Sequence, residues 1–170
     1  MKKSVVFVLI SLFLLTGCSS GQSSELPNPI VQYETPEAAS AVLSFAPAQL
    51  PSDAGYTLTM CTVIGENLAS FVYTKTASST ISLTLRTAES TGDDITGLEG
   101  IIYTEQEYDG RSYKIGKLDS DGKVYYGAFF EQEKFGKTLT ISMTSDSLNQ
   151  EEFTALFEEL MNQNRDCSAY

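Results

Sequence analysis

Histidine and tryptophan are both missing from the 170 residues. Without an imidazole, Ser-His-Asp and Cys-His catalysis are excluded in their usual forms, and so are zinc, copper and haem sites held by histidine. No GxSxG turn, P-loop or dinucleotide-binding glycine pattern occurs, so a cofactor-dependent enzyme is not expected. The chain reads as a non-enzymatic domain. Without Trp it also lacks the commonest sugar-stacking ring. Positive charge is scarce, with 11 Lys and Arg against 22 Asp and Glu, and a surface of that sign repels nucleic acid. A bilayer-spanning apolar run is absent too. The longest, Val5 to Leu15, is broken only by Ser11 and falls well short of the roughly 20 residues a spanning helix needs.

That run sits behind Lys2 and Lys3, the pattern of a signal peptide. It leads into "LTGC", Leu15 to Cys18, which resembles the lipobox of bacterial lipoproteins. The resemblance implies cleavage after residue 17, a diacylglycerol thioether on Cys18 and a further acyl group, such as palmitate, on its amine. It implies a place on the outer face of the bacterial cytoplasmic membrane. Each buried methylene contributes about 0.8 kcal/mol, and two chains anchor stably where one is marginal. The alternative is an ordinary secretory signal with an incidental cysteine. Residues 18–29, "CSSGQSSELPNP", have the composition of a tether, and ten such residues span roughly 18 Å. Residues 30–170 then form one domain. Removing residues 1–17 takes two lysines and no acid, leaving nine basic against 22 acidic residues, a net charge of −13. Neutral glycans, cations and basic peptides or proteins suit that field.

Within the domain, Thr35-Pro36-Glu37 has the form of a helix start, with a hydroxyl cap, proline in the first turn and an acid at the positive end. The helix is expected to last two to three turns and to stop by Pro47. From Tyr56 the apolar period becomes two, and seven strands are predicted: 56–64, 68–75, 80–87, 101–108, 111–118, 123–132 and 138–144. "TISLTLR" points Ile81, Leu83 and Leu85 to one side, and "TLTISMT" does so with Leu139, Ile141 and Met143; each strand is expected to keep one wet face. Asp109-Gly110 and Asp121-Gly122 are hairpin signals. Asn149 with Glu152, and Leu148 with Phe153, open a second helix, whose Phe153, Leu156, Phe157, Leu160 and Met161 share one face. The fold class expected is α+β, an antiparallel meander with a short N-terminal helix and a C-terminal amphipathic helix packed on it.

Three groups of residues carry candidate chemistry. In "KVYYGAFFEQ" both strand faces are apolar, so Tyr125 and Phe129, with Tyr73 and Tyr113, either lie under cover or form an aromatic platform for a peptide, protein or neutral glycan. Asp93, Asp94 and Glu99 lie on a glycine-containing loop and offer hard oxygen ligands for calcium, although the EF-hand pattern is absent. Carboxylates at Glu105 and Glu107, and at Glu131 and Glu133, share strand faces; a carboxylate-only surface hydrolase needs two of them converging in a cleft. Cys61 and Cys167 are an even pair in an exported domain, either bonded or left as thiols.

Several stretches in order, "NPIVQYETPEAA", "LPSDAGY", "VIGENLASFVY", "LRTAES", "DDITG", "DGKVYYGAFF" and "LNQEEF", resemble a family of small extracytoplasmic lipoproteins and secreted domains from Firmicutes. Related domains of unknown function form the outer parts of anti-sigma-like regulators. The resemblance implies a helix, β-meander, helix architecture and carries no catalytic or binding residue. After "DDITG" this chain departs from the pattern with "LEGIIY". The resulting expectation is a membrane-anchored binding domain, with a calcium-dependent module as the alternative and a surface hydrolase third.

Overall fold

The computed structural model describes residues 30–90 and 92–164; residues 1–29, with Cys18, and Cys167 lie outside them. The described elements are β1 (Ile30–Tyr33), α1 (Pro36–Ser40), β2 (Tyr56–Ile64), β3 (Leu68–Lys75), β4 (Ser78–Glu89), β5 (Ile102–Tyr108), β6 (Arg111–Ser120), β7 (Lys123–Lys134), β8 (Lys137–Ser145) and α2 (Gln150–Gln163). The strands make one antiparallel sheet in the order β1-β2-β3-β4-β8-β7-β6-β5. It is therefore mainly β, with one short and one longer helix, and has eight strands where seven were expected. The extra strand, β1, is four residues long, too short to display an alternating period.

The sheet is two four-stranded meanders, β1 to β4 and β5 to β8, zipped together by the central β4–β8 pairing. In the second meander the β5–β6 and β6–β7 turns follow from the expected Asp-Gly pairs, with left-handed backbone at Asp109, Gly110, Asp121 and Gly122. α1 is shorter than predicted. Thr35 caps it, its hydroxyl accepting from the Ala38 amide at 3.2 Å, but regular helix ends at Ser40. The chain then runs over β3 and β4, where the Ala48 amide donates to the Thr87 hydroxyl at 3.0 Å.

α2 is the helix its sequence describes. Asn149 caps it by accepting from the Glu152 amide at 2.9 Å, and all five apolar residues of its stripe are buried. They cover one sheet face, where Phe71, Leu83, Leu85, Ala128, Phe130, Ile141 and Met143 complete the core. Phe157 stands 5.5 Å from the Tyr113 ring and 5.6 Å from Phe130, centroid to centroid. Burying each such large side chain contributes about 1.5–3 kcal/mol. This packing orients the sheet and leaves its opposite face for the remaining chain.

Across that opposite face runs the connection from β4 to β5, described at residues 90 and 92–101, which must pass from the middle of the sheet to its edge. It is referred to below as the strap. Because of it, β8 has no wet face in its middle: Thr140 and Ser142 are as buried as Leu139 and Ile141.

Candidate ligand groove

The strap lies flat because the sheet beneath it lacks side chains at two neighbouring positions. Gly116 and Gly127 are cross-strand partners, and Tyr103 is the next residue in the row. A Cβ at Gly127 would sit 3.1 Å from the terminal methyls of both Leu98 and Ile101. At the other side of the trough the Arg86 guanidinium donates to two strap carbonyls, Ile95 at 3.1 Å and Thr96 at 2.6 Å. Burial lowers the pKa of Arg86, and the charge of Asp94 counteracts this.

A second set of bonds closes the strap on itself. The Thr96 amide donates to Asp94 Oδ1 at 2.7 Å, and the Tyr103 hydroxyl donates to Asp94 Oδ2 at 2.8 Å. Thr96 Oγ1, in a buried residue, lies 2.7 Å from the same Tyr103 oxygen. Burial first, and then the nearby carboxylate, lift the Tyr103 phenol well above the ordinary tyrosine range.

Beside this cluster the cross-strand row Glu105, Lys114, Phe129 crosses β5, β6 and β7. Tyr103 meets Phe129 edge to face, with centroids 5.0 Å apart and planes at 87°. The Lys114 ammonium stands 5.4 Å from the centre of the Phe129 ring, a cation–π distance. Glu105, Lys114 and Phe129, with Gly92, Ser112, Tyr113, Phe130 and Glu131, line a groove of about 420 Å³. Glu131 accepts a hydrogen bond from Ser90 at the start of the strap. The groove thus offers an aromatic side wall, one ammonium donor and two exposed carboxylate acceptors. That set can hold a ligand with an apolar surface and both donors and acceptors.

The four expected platform aromatics do not come together. Phe129 and Tyr113 both line the groove, Tyr113 from the sheet beneath it, whereas Tyr125 lies on the other flank of the strap, in a hollow of about 210 Å³ with Thr96 and Leu98. Tyr73 and Tyr113 are on the opposite, core face and are 6% and 2% exposed. The Tyr73 hydroxyl accepts from the Leu50 amide at 3.4 Å, and the Tyr113 hydroxyl donates to Gln106 at 3.0 Å and lies 3.2 Å from Glu158. Alternation assigns faces within a strand, but only register relates one strand's faces to the next.

Asp93, Asp94 and Glu99 are all exposed on the strap. Among the described residues no three His, Cys, Asp or Glu gather as a metal site, and Asp94 uses both oxygens to fasten the strap. Glu105 with Glu107, and Glu131 with Glu133, share strand faces as expected, yet the groove takes one member from each pair, Glu105 and Glu131. Cys61 is a buried thiol, 3.6 Å from the Thr35 carbonyl and pushed up in pKa by its burial; its suggested partner Cys167 lies outside the described residues. Lys114, Tyr103 and Arg86 carry the site's geometry without a sequence motif. The signal that puts Glu105, Lys114 and Phe129 in one row is the register set by the two-residue Asp-Gly turns. Comparison with protein-family models and with curated proteins finds no match.

Proposed function

We propose that this chain is an extracytoplasmic domain, held to the outer face of the bacterial membrane by lipid on Cys18, that acts by binding rather than by catalysis. Its ligand is a peptide or protein segment with a basic side chain, taken up in the groove beside Phe129. The observation that carries this reading is the groove itself. An aromatic wall stands among two carboxylates and one ammonium, in a mature chain of net charge −13, so the rim accepts an amide while the field favours a cation. The resemblance to tethered outer domains points the same way.

The test is titration calorimetry of the domain with short Lys- and Arg-containing peptides, neutral oligosaccharides and calcium. Basic peptides are expected to bind saturably, and Glu105→Gln with Glu131→Gln to weaken them at least about tenfold, the equivalent of 1.4 kcal/mol. Binding of oligosaccharide alone would transfer the groove to a neutral glycan. Calcium binding lost on Asp93→Asn with Asp94→Asn would instead establish the cation-dependent module. Cleavage of an added glycan, abolished by Glu105→Gln, would establish a hydrolase.

A further inference from the structure

Three tight turns in the sheet have left-handed backbone at both central residues. Two are Asp-Gly, at 109–110 and 121–122; the third, joining β7 to β8, is Phe135-Gly136, with φ of 51° and 74°. Asp and Asn tolerate this conformation because their short polar side chains bond locally, whereas a bulky residue there is an outlier. Phe135 gains almost no packing in exchange, since it is 80% exposed. Lys134 and Lys137 flank it as the last paired residues of the hairpin, and Lys137 also pairs with Glu89. A strained, solvent-facing phenyl between two ammonium groups is a disadvantage to the fold alone.

The end of the sheet on which it sits supplies the reason. Successive cross-strand partners run from Ile30 through Ile64, Leu68, Ala88 and Thr140 to Glu131. The tip therefore projects beyond the row of Ile30, the residue at which the chain from Cys18 joins the sheet. Four residues of strand carry it roughly 13 Å past that row, and the five strand spacings between β1 and β7 separate the two points by roughly 24 Å. Residues 18–29 span at most about 40 Å. Anchor and tip can reach one bilayer together. Ile30 itself is 70% exposed at that end.

We propose that the Lys134-Phe135-Gly136-Lys137 tip is a second membrane contact, its phenyl entering the interfacial zone of the bilayer that holds the lipid anchor while the two lysines meet headgroup phosphates. The inference rests on the lipid-anchor reading above. One lipid point leaves the domain free to swivel; a second fixes the sheet upright and sets the strap face sideways to the membrane.

The absence of tryptophan provides the assay. The full chain carrying Phe135→Trp, made in a lipidating bacterial host with labelled fatty acid, is reconstituted into phosphatidylcholine–phosphatidylglycerol vesicles with brominated acyl chains. A chain carrying Val124→Trp, at the opposite end of β7, is the control. Label lost on Cys18→Ser, with blue-shifted and at least twofold quenched emission from the tip reporter alone, is the expected result. No incorporated label overturns the anchor and the tip contact together. Label without selective quenching overturns the tip contact and leaves the anchor standing. Phe135→Asn should leave the melting temperature unchanged or higher, because Asn suits the turn; a fall of more than about 5 °C would show that Phe135 serves the fold and would overturn the proposal.

Discussion

Tyr103→Phe removes one oxygen and keeps the ring, so the edge-to-face contact with Phe129 survives. What is lost is the pair of hydroxyl bonds to Thr96 and Asp94. A neutral hydrogen bond contributes about 1 kcal/mol net and one to a charged group about 1.5–3 kcal/mol. Asp94 is exposed and water replaces part of its bond, which discounts that bond to about 1 kcal/mol, so the sum is about 2 kcal/mol. If the strap opens as a unit on its own, the loss appears locally, as about 30-fold faster hydrogen exchange at the Thr96 and Leu98 amides. If it opens only with the whole domain, the same loss appears in urea unfolding. Exchange and unfolding are to be measured on the same protein. A variant unchanged within about 0.3 kcal/mol in both would refute the assignment of this cluster as the strap's fastening.

The two strap-side glycines should differ in tolerance. A Cβ at Gly116 collides with the backbone carbonyl of Ile102, while one at Gly127 crowds the movable ends of Leu98 and Ile101 and touches the Tyr103 hydroxyl at ordinary contact distance, so Gly116→Ala should cost about 3 kcal/mol and Gly127→Ala about 1 kcal/mol or less in chemical denaturation; the reverse order would contradict the packing described. Stability should also fall at alkaline pH. Burial, and then Glu158, push the Tyr113 phenol up to about 12, so between the unfolded value near 10 and that point the unfolded chain has lost a proton the folded one keeps. The contribution is complete below about pH 10 and declines as pH rises, at about 1.4 kcal/mol per pH unit for each such tyrosine. Tyr113→Phe should flatten the decline in urea titrations from pH 9 to 12, and an identical slope in both proteins would count against it.

What the sequence could tell was local. The alternation in "TISLTLR" and "TLTISMT" selected the residues that reach the core, and the stripe of α2 selected its buried face, because each depends only on neighbours along the chain. The position of β8 in the centre of the sheet depends on pairing with β4, far earlier in sequence, and no single strand encodes it. For that reason Thr140 and Ser142 read as wet and are buried. The site was partly legible. Phe129 was identifiable from an apolar run, and the register set by the two Asp-Gly turns places Lys114 and Glu105 in its row, but the strap over that row is not encoded in any strand. Tyr113 and Tyr73, equally aromatic, went to the other face. Among the acids of "TGDDITGLE", Asp94 forms an Asx turn that ties down the crossover, a role that composition does not distinguish from that of an oxygen ligand for a cation.

The order of strands in space also governs the order in which the fold can be completed. Whether the chain emerges from a ribosome or through a membrane, β1 to β4 appear first, and the edge of β4 at Thr84–Glu89 then has no partner until Leu139–Thr144 follow. A long bare edge is a template for pairing with another chain. On its strap side Ser82, Thr84 and Arg86 are hydroxylic or charged rather than branched and apolar. The same residues that later line the floor beneath the strap thus keep a waiting half-sheet soluble, so that replacing them with valine or isoleucine would trap the chain during biogenesis even where the finished domain tolerated the change.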